Sequence, residues 1–559
     1  MKRARRFSPA AIAAVGWGAL ACSGADAGLE RALDTISADD LAAHIQVLAS
    51  DEFEGRAPAS PGEDKTIEYV KGQFERIGLE PGNGDSYFQE VPLVSITTDP
   101  SATLRIEGGG GSSALAYGTE FMGWTKRVID RVDVKESPMV FVGYGVVAPE
   151  YGWSDYEGLD VKGKTVVMLV NDPGFATGEE DMFHGRAMTY YGRWTYKYEE
   201  AARQGAAAAL IVHETEPAGY PWDVVRGSWS GPQFDLVAED ANLSRVKLEG
   251  WLTLESGRKV FAQAGLDYDS LKAAAARPGF QAVPMGLTAS VSLRNTVARS
   301  TSHNVLGVLP GSERPDEYFV YMAHWDHLGR DPNLEGDQVY NGALDNASGT
   351  AALLELAEAF ASLEPRPKRS VLFLSVTAEE QGLLGSKYYA THPVYPLDRT
   401  VGAVNMDGLD IWGPMRDVTV IGYGNSELDD YLAEAAARQN RVLRPDPESE
   451  KGFYYRSDHF EFAKQGVPAL YTDAGIDHVE RGEEYGRRMR DEYTALRYHK
   501  PADEYDPSWD LTGAVDDVRL LFRVGQAVAN GTSWPNWAEG TEFRARRDSM
   551  MAARTAGGR

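Results

Sequence analysis

The stretch Ser370-Val-Leu-Phe-Leu-Ser-Val-Thr-Ala-Glu-Glu380 is an apolar run of strand length that ends in two adjacent carboxylates. Two other apolar runs end in a similar way, because residues 318–323 lead into His324 and residues 401–406 lead into Asp407. Runs of this length that alternate with helical patterns predict an α/β sheet with helices on both faces. Ligands of such sheets bind beyond the carboxyl ends of the strands, so we expect a functional site where these runs end.

Alternation of strands and helices extends over the second half of the chain. Predicted strands lie at residues 305–309, 318–323, 370–376, 401–406, 418–421 and 469–471. Predicted helices lie at residues 347–362, 381–391, 426–439, 457–465 and 511–529. The fold class that follows is α/β, with a mixed, mostly parallel sheet flanked by helices and a smaller inserted α/β domain.

The first half of the chain predicts the inserted domain. Its character changes near residue 138, and apolar strands at 138–147, 165–170 and 205–212 then form a small mixed module. The predicted parts of the chain are a main domain in two segments, 30–130 and 286–535, an inserted domain, 131–285, and a C-terminal tail, 536–559. The end of the tail is basic and rich in Gly and Ala, so we expect it to be loosely docked or disordered.

The N-terminal residues 1–27 are typical of a targeting segment. Several basic residues within positions 2–6 precede an apolar stretch at 9–21 that is too short to span a bilayer. Cys22 follows Ala21 directly and resembles the lipidated cysteine of bacterial lipoproteins. We therefore expect a signal peptide or a lipoprotein signal, and export to the periplasm, the outer membrane or the extracellular space.

Composition excludes some classes of function. The 559 residues are 43% hydrophobic and 25% charged, which is ordinary for a globular protein of two or three domains. A formal net charge of -27 argues against nucleic acid as a partner. Cys22 is the only cysteine, so this sequence allows no intramolecular disulfide and no zinc site built from thiolates.

Imidazole and carboxylate groups at the strand ends suggest a metal site. The candidate ligands are His324, Asp345, Glu380, Asp407 and His499. Such ligands without a thiolate suit zinc, with cobalt and manganese as alternatives. Each residue alone has a structural explanation, such as a helix cap or a turn. Together they exceed the needs of one tetrahedral zinc and fit two metals, about 3.5–4 Å apart, that share one bridging carboxylate.

The motifs that contain these residues resemble a known family. In chain order they are His324-Trp-Asp326, Asp345-Asn-Ala-Ser-Gly349, Glu379-Glu-Gln-Gly-Leu-Leu-Gly-Ser386, Asp407 and Tyr498-His499-Lys-Pro-Ala-Asp503, with Phe53-Glu-Gly-Arg56 and Ser457-Asp-His459 as further matches. In order and spacing they resemble the secreted double-zinc aminopeptidases, which are related to glutamate carboxypeptidase II, the transferrin receptor and the glutaminyl cyclases. The resemblance covers most of residues 35–530, and the insert resembles a protease-associated domain.

The resemblance implies two Zn²⁺ ions per chain and a role for each ligand. Asp345 would bridge the ions, His324 and Asp407 would hold one of them, and Glu380 and His499 would hold the other. The implied activity is that of a metallo-aminopeptidase, an exopeptidase that removes N-terminal residues from peptide substrates.

The same resemblance implies catalytic roles. Glu379 would be the general base, which takes a proton from the attacking water and returns it to the leaving amine. Asp326 would accept the imidazole N–H of His324 and fix its tautomer. Tyr498 would donate its hydroxyl to the oxyanion, with Tyr454 as the competing donor.

Other interpretations remain open at this stage. A carboxypeptidase or dipeptidase on the same scaffold would need a cation for the substrate carboxylate, and Arg456 is a candidate. A non-catalytic, receptor-like homologue is a further alternative, while a glutaminyl cyclase is disfavoured by the accessory domain. His327 is expected to be structural. Side-chain preference, the role of the insert, the oligomeric state and lipidation of Cys22 are not decided by the sequence.

Overall fold

The computed structural model describes residues 27–557, with side chains described up to residue 555. The predicted leader, including Cys22, therefore lies outside the described residues. Within residues 27–557, no helix combines the length and the apolarity that a bilayer crossing requires.

The larger sheet contains the predicted alternation of strands and helices. Across the sheet, its strands follow the order Glu80–Pro81, the end of Val283–Leu309, Arg369–Val376, Arg314–His324, Thr400–Asn405, Ala469–Asp473, Asp417–Ile421 and Val442–Pro445. The four central strands, from Arg369–Val376 to Ala469–Asp473, are parallel neighbours. The carboxyl ends of these strands therefore meet at one edge, where the candidate ligands were predicted.

Helices cover both faces of this sheet. They span 27–34, Ala38–Leu48, Pro61–Ile77, Gly349–Ala361, Leu384–Thr391, Leu428–Arg438, His459–Lys464, Gly482–Leu496 and Thr512–Asn530. Gly349–Ala361 consists almost entirely of Ala, Leu and other small or apolar residues, and nearly all of it is buried. It packs against the sheet, against Ala38–Leu48 and against Thr512–Asn530, so it is the centre of the main core.

A second, smaller sheet forms the inserted domain. Its strands are Thr103–Gly108, Gly111–Ala116, Phe121–Trp124, Arg131–Phe141, Thr165–Leu169, Ala208–Val212, Leu248–Leu252 and the first half of Val283–Leu309. Its helices are Pro173–Thr177, Trp194–Arg203, Thr215–Ala218, Trp222–Ser228, Leu254–Gln263 and Tyr268–Ala275. Two short strands, Val147–Ala148 and Trp153–Ser154, pair with each other, and Pro232–Leu236 pairs with Phe88–Thr98 of the larger sheet. The domain has hydrophobic clusters of its own, which makes it a separate packing unit.

One long strand connects the two sheets. Val283–Leu309 pairs with the smaller sheet up to residue 294, and from residue 295 it runs antiparallel to Phe88–Thr98 in the larger sheet. The smaller sheet already includes Thr103–Gly108, which lies before the predicted boundary at residue 131. The change of sheet therefore falls near residues 99 and 295.

The end of the chain corrects an expectation. Instead of a loosely docked tail, Arg544–Gly557 is a helix. Arg547 is buried and donates hydrogen bonds to the carbonyls of Thr400 and Val401, at 3.1 Å and 3.2 Å. The basic side chain that suggested a solvated tail is thus the group that docks it.

Candidate metal centre

Side chains at the carboxyl edge of the larger sheet form a first group of possible metal ligands. His324 ends the strand Arg314–His324, and its Nε2 lies 3.2 Å from Oδ1 of Asp407 and 3.4 Å from Oδ1 of Asp345. His324 is 1% exposed, whereas the side chains of Asp345 and Asp407 are 12% and 18% exposed. Their ligand atoms all lie within 4.8 Å of one another.

A second group lies on the other side of Asp345. Oδ2 of Asp345 is 3.2 Å from Nε2 of His499, and Oε2 of Glu380 is 3.1 Å from the same nitrogen. The two oxygens of Asp345 therefore face different groups of ligands. All five residues predicted as ligands come together, although they are spread over more than 170 positions of the sequence.

The backbone around Asp345 is held by two residues of the motifs quoted above, Asn346 and Asp503. The carboxylate of Asp503 accepts hydrogen bonds from the backbone N–H groups of Leu344 and Asp345, at 3.2 Å and 3.1 Å. Oδ1 of Asn346 accepts the backbone N–H groups of Gly349 and Gly408, at 2.9 Å and 3.0 Å. These contacts tie the start of the helix Gly349–Ala361 to the loop that carries Asp407.

Arg56 ties the N-terminal segment to the same loops. Its guanidinium is 1% exposed and donates only to backbone carbonyls. The acceptors are Leu48 at 2.7 Å, Trp325 at 2.8 Å, Asn341 at 2.6 Å and Gly342 at 2.8 Å. Since Trp325 follows His324 and Gly342 precedes Asp345, the Phe53-Glu-Gly-Arg56 motif fixes the two loops that bear these ligands.

A separate hydrogen-bond chain orients Asp407. Its Oδ2 accepts a hydrogen bond from the hydroxyl of Ser457 at 2.6 Å, and that hydroxyl accepts the side-chain N–H of Asn405 at 2.7 Å. Oδ1 is thereby left facing His324. Ser457 of the Ser457-Asp-His459 motif therefore orients Asp407. Carboxylates that bind metals are commonly held in this way by a hydrogen bond from a neighbouring side chain.

The role predicted for Asp326 needs a correction. Nδ1 of His324 lies 3.1 Å from the backbone carbonyl of Asp326, whereas the carboxylate Oδ1 is farther away, at 3.8 Å. The carboxylate accepts the backbone N–H of Glu379 instead, at 3.0 Å. The carbonyl is favoured because the side chain has turned toward the neighbouring strand, where it holds the segment Glu379-Glu380 in place.

His327, which was expected from the sequence to be structural, is a further candidate ligand. Its Nδ1 lies 2.6 Å from Oε1 of Glu380, yet neither ring nitrogen has an aligned hydrogen-bond partner among residues 27–557. His327, Asp345 and Glu380 form the second group whose ligand atoms lie within 4.8 Å of one another. The expectation that His327 is merely structural is therefore not what the geometry indicates. Its position three residues after His324, at the same strand end, was the available signal.

Without a cation, the site has an excess of buried negative charge. Burial raises the pKa of Glu379 well above its usual range, and the nearby carboxylates of Asp407 and Glu380 contribute to the shift. For Glu380, burial is outweighed by His499 and His327, which lower its pKa to about 2. Crowded buried carboxylates are stable only when a proton or a metal ion compensates them.

The donor set fits zinc. It offers imidazole nitrogens and carboxylate oxygens but no thiolate, which is typical of catalytic zinc sites. Several buried polar atoms here have no hydrogen-bond partner in the described part of the chain, namely Oε1 of Glu380, Oδ2 of Asp326 and both carboxylate oxygens of Asp458. Unpartnered buried polar atoms are expected where an ion belongs.

A cavity of about 460 Å³ opens beside these ligands. Glu379, Asp345, Asp407 and His499 line part of it, and the rest of the wall combines apolar residues such as Trp412 with charged side chains. This is the size and character of a site for a small molecule or the end of a peptide.

Two tyrosines were predicted as alternative oxyanion donors, and they occupy different environments. Tyr498 lines the cavity and stacks on His499 with ring centroids 3.9 Å apart. Tyr454 is 7% exposed and packs against His459 and Phe543 outside the cavity lining. The geometry therefore favours Tyr498.

Comparisons with known proteins define the class of this fold. The structure aligns with the aminopeptidase from Aneurinibacillus sp. strain AM-1 with a TM-score of 0.51 and 21% identity, over 90% of this chain and 97% of that one. The predicted fold class, a mixed and mostly parallel sheet flanked by helices, is confirmed.

Part of the sequence is similar to known peptidases. Residues 304–522 match the profile of Peptidase family M28, and this segment contains all five predicted ligands. It is 37% identical over 138 residues to the mouse aminopeptidase NAALADL1, covering 23% of this chain and 17% of the mouse protein. It is 27% identical over 241 residues to a probable zinc metalloprotease of Pyrenophora tritici-repentis, covering 41% and 51%. The chain thus matches only part of the length of either relative.

Proposed function

We propose that this protein is a zinc-dependent aminopeptidase that hydrolyses N-terminal residues from peptides with two metal ions. The observation that carries the proposal is that the two carboxylate oxygens of Asp345 face different histidines. Oδ1 lies 3.4 Å from Nε2 of His324, and Oδ2 lies 3.2 Å from Nε2 of His499. A carboxylate with one oxygen toward each of two ligand groups is what a bridged metal pair requires. The match of residues 304–522 to Peptidase family M28 supports the hydrolytic class.

In this proposal each ion has its own ligands besides Asp345. His324 and Asp407 would hold one, and Glu380 and His499 would hold the other, with His327 as a further donor beside Glu380. Bound zinc would acidify an attacking water and polarise the scissile carbonyl.

Side chains of the cavity would carry out the proton transfer and stabilise the oxyanion. Glu379 lines the cavity next to the ligand Glu380, so it is placed to accept a proton from the attacking water and return it to the leaving amine. Its backbone N–H is fixed by Asp326, which limits its freedom. Tyr498 lines the same cavity and would donate its hydroxyl to the oxyanion.

We also propose that the protein acts outside the cytoplasm, with peptides as its partners. The basic and apolar N-terminal residues and the position of Cys22 support export, either as a secreted protein or with a lipid anchor. The inserted domain is proposed to be of the protease-associated type.

A substrate panel tests the proposed activity. Zinc-loaded protein is assayed with a series of aminoacyl amides and short peptides, each beside its N-acetylated form. The aminopeptidase proposal predicts cleavage of the free amines and loss of activity on the blocked substrates. Equal cleavage of blocked and free substrates would contradict it and favour a carboxypeptidase or an endopeptidase. Absence of zinc and of any peptidase activity would favour the non-catalytic alternative.

A further inference from the structure

The wall of the cavity contains an arginine without an anionic partner. Arg456 lines the same cavity as Glu379 and Asp407, and its guanidinium forms no ion pair with any described residue. The other arginines of the wall differ in this respect. Arg490 pairs with Asp473 at 2.5 Å, and Arg487 pairs with Glu483 at 3.6 Å. The charge of Arg456 is thus the one of these three that remains available to a ligand.

Aromatic rings from two domains hold the guanidinium. It lies 5.4 Å from the ring centroid of Phe453 and 5.9 Å from that of Tyr220, which belongs to the inserted domain. Cation–π contacts of this kind position an arginine without neutralising its charge.

A second guanidinium adds to the local positive charge. Arg193 of the inserted domain is 8% exposed, and its Nε has no hydrogen-bond partner among the described residues. Burial, and then the nearby charge of Arg456, lower the pKa of Arg193 to about 10. Neither guanidinium forms an ion pair with a described residue, and two such neighbouring cations in a chain with a net charge of -27 suggest a place for an anion.

The inserted domain fixes this wall of the cavity. The backbone N–H of Met188 donates to the carbonyl of Ser449 at 3.1 Å, and Glu199 pairs with Lys464 at 3.5 Å. The segment that carries Arg456 is therefore packed between the two domains and is not a free surface loop.

We propose that Arg456 binds a carboxylate of the peptide substrate, so that substrates with a carboxylate close to the scissile bond are preferred over neutral analogues. The carboxylate can be the C-terminus of a dipeptide or the side chain of Asp or Glu. A guanidinium binds either one through two parallel N–H···O hydrogen bonds. This inference rests on the proposed peptidase function and adds a substrate class to it.

Matched substrate pairs test the proposal. The first pair is Leu-Leu and Leu-Leu-amide, which differ in the terminal carboxylate. The second pair is Leu-Glu-amide and Leu-Gln-amide, which differ in the side-chain carboxylate. The ratio of kcat/KM within each pair is measured for the zinc-loaded wild type and for Arg456→Gln, Arg456→Lys and Tyr220→Leu. Arg487→Gln, which removes a paired arginine of the same wall, is the matched control.

We expect the wild type to prefer the charged member of at least one pair, and the pair that responds identifies the source of the carboxylate. In Arg456→Gln this ratio should fall about tenfold or more, mainly through KM, as expected for a lost charged hydrogen bond. Arg456→Lys should keep part of the preference, Tyr220→Leu should reduce it, and Arg487→Gln should keep it.

The outcomes separate this inference from the proposed function. An active wild type whose ratios are unchanged in both Arg456→Gln and Tyr220→Leu would overturn the role of Arg456 and leave the peptidase proposal standing. A zinc-loaded wild type without activity on any peptide would overturn the proposed function itself. If Arg456→Gln does not fold, as judged by thermal unfolding, Arg456→Lys and Tyr220→Leu decide the question on the same ratios.

Discussion

The guanidinium of Arg56 donates a hydrogen bond to the backbone carbonyl of Gly342 at 2.8 Å, three residues before Asp345. The same guanidinium also reaches the carbonyl of Trp325, directly after His324. A side chain near the N-terminus thus sets the distance between two loops that come much later in the sequence. The integrity of the metal centre should therefore depend on a residue that contacts neither metal nor substrate.

We expect Arg56→Met to lower the free energy of unfolding by about 3 kcal/mol or more, because each buried carbonyl left without a donor costs about 1–3 kcal/mol. Zinc affinity should fall as well, because the loops that carry His324 and Asp345 lose the hydrogen bonds from Arg56. Denaturant unfolding and a chelator titration measure the two effects. The control is Arg76→Met, which removes an exposed ion pair with Glu358 and should cost no more than about 1 kcal/mol. Similar small losses in both variants would contradict the role of Arg56.

Glu379→Gln tests the proton-transfer role. The substitution keeps the size of the side chain but removes the base, so kcat should fall by about a thousandfold or more while zinc stays bound. Steady-state kinetics and the zinc content of the same sample give both values. Retained turnover would exclude Glu379 as the base, whereas loss of zinc would show that it acts as a ligand.

His327→Asn tests whether the second group of ligands includes His327. Its Nδ1 lies 2.6 Å from Glu380 without an aligned hydrogen bond, so we expect one of the bound zinc ions to weaken about tenfold or more. Competition with a chromophoric chelator measures this, and the visible spectrum of the cobalt-substituted protein should change. The control is His459→Asn, another buried histidine, which packs between Tyr454 and Tyr471. Equal zinc affinity in the wild type and in His327→Asn would contradict a ligand role for His327 and indicate a structural one.

Glu355 should make stability depend on pH. Burial, together with the carboxylates of Asp40 and Glu358, raises the pKa of Glu355 from 4.5 to about 8. Between those pH values the folded protein keeps a proton that the unfolded chain has released, so stability falls as pH rises through this window.

Glu355→Gln removes this titration while keeping an acceptor for the backbone N–H of Ser37, which lies 3.1 Å from Glu355. The thermal midpoint of the variant should exceed that of the wild type at pH 8, and the difference should shrink at pH 5. Glu68→Gln, at an exposed position, serves as the control and should show no such change. A wild-type advantage that grows toward pH 8 would contradict the raised pKa.

The features that could be predicted from the sequence have signals in the local sequence. Apolar runs such as residues 370–376 predict buried strands, and a carboxylate or histidine at the end of such a run is visible without any structure. Helix ends are also local features, because the hydroxyl of Ser37 accepts the N–H of Asp40 and Gly78 takes the left-handed conformation that ends its helix. These features depend on neighbours a few residues away.

The parts that were missed depend on distant contacts. The helix Gly482–Leu496 was not among the predicted helices; it is rich in charged residues, and Gly486 is its only fully buried residue. The C-terminal helix is docked by Arg547, whose partners lie about 150 positions earlier. The contact of Tyr220 with Arg456 joins two domains, and nothing in either local sequence indicates it.

The most direct test of the account is the zinc content of Asp345→Ala beside Asp407→Ala, measured by mass spectrometry after gel filtration in zinc-free buffer. Because Asp345 faces both groups of ligands and Asp407 faces one, we predict about two zinc ions per wild-type chain, about one in Asp407→Ala and almost none in Asp345→Ala. An Asp345→Ala protein that is folded and still binds one zinc ion with wild-type affinity would contradict the bridging role, and with it the proposed metal pair.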